Sequence, residues 1–188
     1  MGSESSFGLR GGFPVFFGDW NKARTAPDVS RFESGFTGSG DFDIQLSDRF
    51  TLGLEIGYQP MSGSDWEKYS ATQGDTVKVV ASYAYTGLLL RPCIWAGGRD
   101  FVRLEAGPIL FIPSGSETQF GVSYPYDFFN TVRIGGKGGV EYGRVLVEGL
   151  ALTFSGSLIV VPSGVSYTDG TVRTVVSLPL TLGARVYF

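Results

Sequence analysis

Thr171-Val-Arg-Thr-Val-Val-Ser-Leu-Pro-Leu-Thr-Leu-Gly-Ala-Arg-Val-Tyr-Phe188 closes the chain and reads as a strand with two incompatible faces. Its even positions Val172, Val176, Leu178, Leu180, Leu182, Ala184, Val186 and Phe188 are apolar, Thr174 excepted, while its odd positions include Arg173, Ser177, Thr181, Gly183 and Arg185. A period of two belongs to β-structure, where successive side chains leave opposite faces. A soluble sheet would turn the apolar face inward, yet the other face carries arginines, hydroxyls and glycine, as a narrow lumen would. A strand crossing a membrane in a barrel inverts the soluble rule, apolar to lipid and polar to the interior.

The alternation recurs upstream. Phe7, Leu9, Phe13, Val15 and Phe17 oppose Gly8, Arg10, Gly12 and Pro14 in a first strand, and Phe36, Phe42, Ile44 and Leu46 oppose Ser39, Asp41, Asp43 and Gln45 in a second. A tight turn at Ser47-Asp48-Arg49 leads to the cleanest case, with Phe50, Leu52, Leu54, Ile56 and Tyr58 against Thr51, Gly53, Glu55, Gly57 and Gln59. On that assignment Leu54 faces lipid and Gly53 the lumen, where Gly53→Ser is expected to be mild.

In the fourth strand Val77, Val79, Ala81, Tyr83 and Tyr85 take the apolar face against Lys78, Ser82, Ala84 and Thr86. Keeping Arg91 inward then requires a β-bulge between Thr86 and Leu90. A second short turn falls at Gly97-Gly98-Arg99-Asp100, and strand five runs Phe101 to Ile112 with Arg103, Glu105 and Gly107 inward. Strand six, Phe128 to Tyr142, sets Val132, Ile134, Val140 and Tyr142 against Arg133, Lys137 and Glu141 and is expected to turn at Gly143-Arg144. In strand seven, Val145 to Gly156, Glu148 shares parity with Leu150, Leu152 and Phe154, so another bulge is expected there.

Four long connections, starting near Gly18, Met61, Pro113 and Gly156, alternate with three short ones near Asp48, Gly98 and Gly143, which joins eight strands. The fold expected is all-β: one domain over residues 1–188, an eight-stranded antiparallel up-and-down transmembrane β-barrel. Short turns and both termini would be periplasmic and long loops extracellular. No apolar run approaches the roughly 20 residues of a transmembrane helix, so a closed barrel is the spanning form available. Pro14, Pro92, Pro108 and Pro179 cannot donate to a ladder and are expected at bulges or beyond the hydrocarbon belt. Met1-Gly-Ser-Glu has neither a basic n-region nor an apolar h-region, so a signal peptide is expected to have been removed. One cysteine, Cys93, allows no intramolecular disulfide.

Thr181, Gly183, Val186 and terminal Phe188 match the spacing of the C-terminal signal by which bacterial outer-membrane barrels are recognised for assembly. The whole chain resembles small eight-stranded outer-membrane barrels of the OmpA-like and OmpX-like kind, with Leu88-Leu89-Leu90-Arg91-Pro92 and Ala106-Gly107-Pro108 looking like their middle hairpin. That resemblance implies outer-membrane lipid as the surroundings and the barrel-assembly machinery as a partner during biogenesis.

Read on this alternation, the lumen holds basic Arg10, Lys78, Arg91, Arg103, Arg133, Lys137, Arg173 and Arg185 against acidic Asp41, Asp43, Glu55, Glu105, Glu141 and Glu148. Eight strands enclose only enough width for side chains to fill. A salt-bridged interior is therefore expected over an ion-selective pore. Asp41 and Asp43 share one strand face and could hold a cation, but salt bridges to lumen arginines are the expected fate.

Other chemistry is thin. The chain has no histidine, the usual general base and metal ligand, and neither enzymatic activity nor a cofactor is expected. Gly135-Gly136-Lys137-Gly138-Gly139 lacks the Lys-Ser/Thr step and helical context of a phosphate loop. A net charge of −3 with dispersed basic residues argues against nucleic acid.

The loops remain as carriers of function. Trp66 and Tyr69, then Phe120, Tyr124 and Tyr126, then Tyr167 bring aromatics to them. Because Thr171 to Phe188 exceeds the ~9–11 residues a transmembrane strand needs, its outer half is expected to project. There Ile159, Val160 and Val161 would form an exposed apolar patch beside Phe16, Phe17 and Trp20. The function expected is an envelope structural or binding protein that meets a protein or surface ligand through its loops. A passive small-solute channel and a soluble lipocalin-like barrel are the alternatives.

Overall fold

The computed structural model describes residues 5–17, 35–61, 65–66, 77–119, 122–125, 131–166 and 172–188. Its strands are β1 (Ser5–Phe17), β2 (Thr37–Ser47), β3 (Phe50–Met61), β4 (Asp65–Trp66), β5 (Val77–Gly97), β6 (Asp100–Gln119), β7 (Val122–Pro125), β8 (Arg133–Val147), β9 (Leu150–Ser166) and β10 (Val172–Tyr187). Eight of them pair antiparallel in the ring β1-β2-β3-β5-β6-β8-β9-β10, and β10 closes it on β1 with Phe7 opposite Val186 and Phe13 opposite Leu180. Closure leaves the barrel wall no edge strand. β4 and β7 are short additions beside the far ends of β5 and β6.

The faces are inside-out. Leu9, Phe13, Ile134 and Leu182 are between 58 and 71 % exposed on the outer surface, while Arg91, Glu55, Asp43 and Arg185 are at most 1 % exposed inside. An apolar exterior around a charged interior is unstable in water and fits a bilayer, where every backbone polar group is satisfied within the closed sheet. This arrangement is the reverse of a lipocalin-like barrel.

Several local expectations are corrected. The third tight turn is Glu148–Gly149, not Gly143-Arg144. Gly149 adopts φ +79°, as Gly98 adopts +63° in the preceding turn, a left-handed backbone that other residues resist. Gly143 is a glycine for another reason: it lies in β8 facing the lumen, where a Cβ would sit 2.0 Å from the Phe101 ring. Glu148 is thereby an exposed turn residue and not a lumen charge, and the parity conflict of strand seven disappears. The irregularity sits in β8, between Val145 and Val147.

The bulge expected between Thr86 and Leu90 is absent. β3 and β5 keep one register from Phe50↔Pro92 to Met61↔Ala81, and the irregularity lies at Cys93/Trp95. Tyr83, Tyr85 and Leu89 consequently share the inward parity of Arg91 and are buried. Their hydroxyls explain the choice of the two tyrosines: Tyr85 donates to Glu55 at 2.7 Å, and Tyr83 shares a hydrogen with Ser177 at 2.8 Å. Pro14, Pro179 and Pro108 also sit in unbroken register and not at bulges. Pro14 and Pro179 face each other as a non-hydrogen-bonded pair, in step with Gly12 and Thr181, so neither removes a bond between β1 and β10, and the missing donor of Pro179 faces β9.

Two expected loops are largely strand. β6 continues through residues 113–119 and β7 folds back on it, with Ser116 opposite Pro125 and Gln119 opposite Val122. β9 runs on through 156–166. β5 and β6, of 21 and 20 residues, far exceed the ~9–11 of a membrane crossing, so their paired ends away from the Gly98 turn stand beyond the belt. Outward positions on β5 record the boundary: Leu90 and Leu88 give way to Thr86, Ala84 and Ser82.

Leu54 lies on the outer face, 52 % exposed. Leu54→Arg is expected to cost about 2–4 kcal/mol if it sits near the midplane, read by urea titration in lipid vesicles. A cost near zero would contradict the lipid-facing assignment.

Candidate functional site: a lumen filled by paired charges

The inward positions of the strands supply few residue types, chiefly arginine, carboxylate, hydroxyl, glycine and, towards the long-loop end, apolar side chains. Glycine is placed where a long side chain needs room. A Cβ on Gly53 would lie 2.2 Å from Arg91 Nη1 and 2.3 Å from Asp43 Oδ1, and one on Gly8 2.8 Å from Asp41 Oδ1. Gly183 borders Arg10 in the same way, 2.6 Å from its Cγ and 2.3 Å from the Leu9 carbonyl.

Into this space project Arg10, Arg91, Arg103, Lys137 and Arg185, with Asp41, Asp43, Glu55, Glu105 and Glu141, five cations and five carboxylates whose charges sum to zero. Arg10 spans the lumen, 2.6 Å from Glu55, 3.1 Å from Asp41 and 3.3 Å from Glu105. Arg91 reaches Glu55 at 2.8 Å and Asp41 at 3.1 Å, and also pairs with Asp43. Arg185 binds Asp41 at 2.6 Å and Asp43 at 2.7 Å. Lys137 bridges Glu55 at 2.6 Å and Glu105 at 3.0 Å, while Arg103 joins Glu141 to Asp43. Ser157 donates to Glu105 at 2.5 Å and Ser6 accepts from Arg185 at 3.0 Å. Charge-assisted contacts of this density hold each side chain in one place.

The network has different neighbours on its two sides. Towards the long-loop end lies an apolar and aromatic layer of Leu89, Ile109, Phe111, Ile159, Val161 and Val175 around Tyr83, whose ring centroid is 4.4 Å from that of Phe111. Towards the tight turns a cavity of about 420 Å³ opens, bordered by Asp43, Arg103, Gln45, Cys93 and Tyr187.

Ten of the charges read from the sequence thus meet in one cluster. Asp41 and Asp43, considered for a cation, are held by arginines. Arg133 is half-buried at the start of β8. Lys78 and Arg173 lie in β5 and β10, and Trp66 and Tyr124 in β4 and β7, but their side chains are outside the described residues, as are Tyr69, Phe120, Tyr126 and Tyr167 altogether. Ile159 and Val161 are corrected: both are 0 % exposed inside the barrel, so they form no surface patch with half-buried Val160. Their parity follows Ser155 and Ser157 inward. Thr181 is buried and shares a hydrogen with Ser155 at 2.6 Å; Val186 and Phe188 face outward, the Phe188 ring 6.3 Å from Phe42.

No family model matches the chain, and no curated protein does. Solved structures do match over nearly its whole length. A major outer membrane protein from Thermus thermophilus aligns with TM-score 0.62 and 15% identity over 98% of this chain and 99% of that one. Neisserial surface protein A, NspA, aligns at 0.61 and 12% over 99% and 98%. Ail, the attachment invasion locus protein of Yersinia pestis, aligns at 0.57 and 12% over 100% of both chains. The fold is therefore that of small eight-stranded outer-membrane β-barrels.

The geometry reverses the mild effect expected at Gly53. Gly53→Ala is expected to destabilise by about 1–3 kcal/mol through overpacking, whereas Gly136→Ala, with nothing within 4 Å of its Cβ position, changes little. Urea titration of both variants in vesicles measures the difference, and equal stabilities would contradict the packed lumen.

Proposed function

We propose that this chain is a non-enzymatic outer-membrane β-barrel with a closed lumen, serving the cell envelope as a structural and binding protein through its outer loops. The observation that carries this reading is the filling of the lumen by two successive layers, one ionic and one apolar. A barrel that transports nothing presents its rim. The tight turns and both termini are placed in the periplasm, and the long connections outside, following the general asymmetry of such barrels. Thr181, Gly183, Val186 and Phe188 are assigned to recognition by the assembly machinery, with Gly183 also making room for Arg10.

The long connections are rich in aromatic residues by their sequence, a composition that favours protein and ligand contact. Ail has been solved with the heparin analogue sucrose octasulfate, at TM-score 0.57 and 10% identity to this chain. The long connections here, taken as 18–34, 62–76, 113–132 and 162–171, are neutral or acidic by their sequence. Trp66, Tyr69, Phe120, Tyr124, Tyr126 and Tyr167 accordingly point to an apolar or planar partner surface and not to a polyanion.

Reconstituted into a planar bilayer, the protein is expected to show no discrete conductance steps, and substituting Trp66, Tyr69 and Tyr124 together with serine is expected to leave insertion intact while reducing adhesion of cells displaying it. Regular ohmic steps would establish the channel reading, and undiminished adhesion would remove these aromatics from the binding surface.

A further inference from the structure

The outer face carries a charged pair at the tight-turn edge of its apolar girdle. Arg144 of β8 points outward with its side chain 62 % exposed, and its Nε lies 3.9 Å from the Asp100 carboxylate. Tyr142, on the same face, donates its hydroxyl to that carboxylate at 2.7 Å. Asp100 and Arg144 are register partners across β6 and β8. The next row comprises Trp95, Val102, Tyr142 and Phe154, on four adjacent strands. Trp95, Tyr142 and Phe154 are 52, 41 and 50 % exposed. Arg99, in the neighbouring turn, donates to the Leu146 carbonyl at 3.4 Å.

A single ion pair this long and this exposed is worth little by itself. At the depth of lipid headgroups, where tyrosine and tryptophan collect, it is instead a pair of opposite charges presented to the membrane above an apolar track. Arginine binds phosphate in bidentate fashion. A carboxylate beside it accepts hydrogen bonds from a primary ammonium. We propose that Arg144, Asp100, Tyr142 and Trp95 form a site for one phospholipid of the ethanolamine class, with its phosphate on Arg144, its ammonium on Asp100 and an acyl chain along Val102, Leu152 and Phe154. A choline headgroup has no N–H to donate, and an anionic glycerol headgroup would meet the Asp100 carboxylate without a cation to offer it. The proposal rests on the membrane-embedded reading above and adds the class of lipid.

The chain has three tryptophans, so the W20F/W66F variant reports on Trp95 alone. Refolded into phosphatidylcholine vesicles containing one tenth brominated phosphatidylethanolamine, brominated phosphatidylglycerol or brominated phosphatidylcholine, its fluorescence reports which lipid sits at the site. Quenching by the ethanolamine lipid is expected to reflect about a two- to fivefold enrichment over its bulk fraction, the ratio that the ~0.5–1 kcal/mol of an exposed ion pair corresponds to. Arg144→Gln should abolish the enrichment, and Asp100→Asn should shift the preference to the glycerol lipid. Equal quenching by all three lipids, or enrichment unchanged in Arg144→Gln, would overturn the site while leaving the barrel reading intact. Absence of quenching by any lipid in the folded protein would overturn both.

Discussion

Pairing of five buried cations with five buried carboxylates is the interaction on which the rest of this barrel depends. Removing such ions from water costs several kcal/mol each, and their attraction offsets this only when every group finds a partner. Here Arg10, Arg91 and Arg185 each touch several carboxylates, and Glu55 is shared by Arg10, Arg91 and Lys137. The network also fixes which strand face is inside. With a lumen of leucine, both faces would be apolar, and a slip of one residue in register would exchange them at little cost. With arginine and aspartate on one face, the same slip would place charge in hydrocarbon.

The network constrains its surroundings in turn. A guanidinium entering a narrow lumen needs empty space beside it on the paired strand, which accounts for Gly8, Gly53 and Gly183. Beyond the ionic layer, towards the long-loop end, the interior changes to Leu89, Ile109, Phe111, Ile159 and Val161. That part of the barrel has a core like that of a soluble sheet and supports the outer hairpins. The lumen is thus filled at two levels, which is the observation behind the proposed role of the outer loops.

Much of this was legible in the sequence because inward charge and outward hydrophobicity alternate without interruption in β3 and in the second half of β10. The alternation from Phe50 to Gln59 and the inward set Arg10, Asp41, Asp43, Glu55, Arg103 and Arg185 follow from parity alone, whereas Arg91 comes inward on that reading only through a bulge between Thr86 and Leu90 that β5 does not have. What misled was treating every large apolar side chain as lipid-facing. Tyr83 and Tyr85 are inward because their hydroxyls need Ser177 and Glu55, and counting back in twos from Arg91 through Leu89 and Gly87 places them correctly. Ile159 and Val161 are inward because the lumen turns apolar beyond the ion network, a change that depends on depth and leaves no local sequence signature. Gly143 read as a turn because close approach of the Phe101 ring and a left-handed backbone both select glycine.

The central claim is that the lumen charges act as one coupled set, and a double-mutant cycle on Arg185 and Asp41, 2.6 Å apart, tests it most directly. Unfolding free energies of Arg185→Met, Asp41→Asn and the double variant in vesicles are predicted to show each single change costing about 3–5 kcal/mol. The double variant is predicted to cost less than their sum by at least ~1 kcal/mol. Costs that add to within about 0.5 kcal/mol would contradict a coupled network and leave the charges as independent lumen residues.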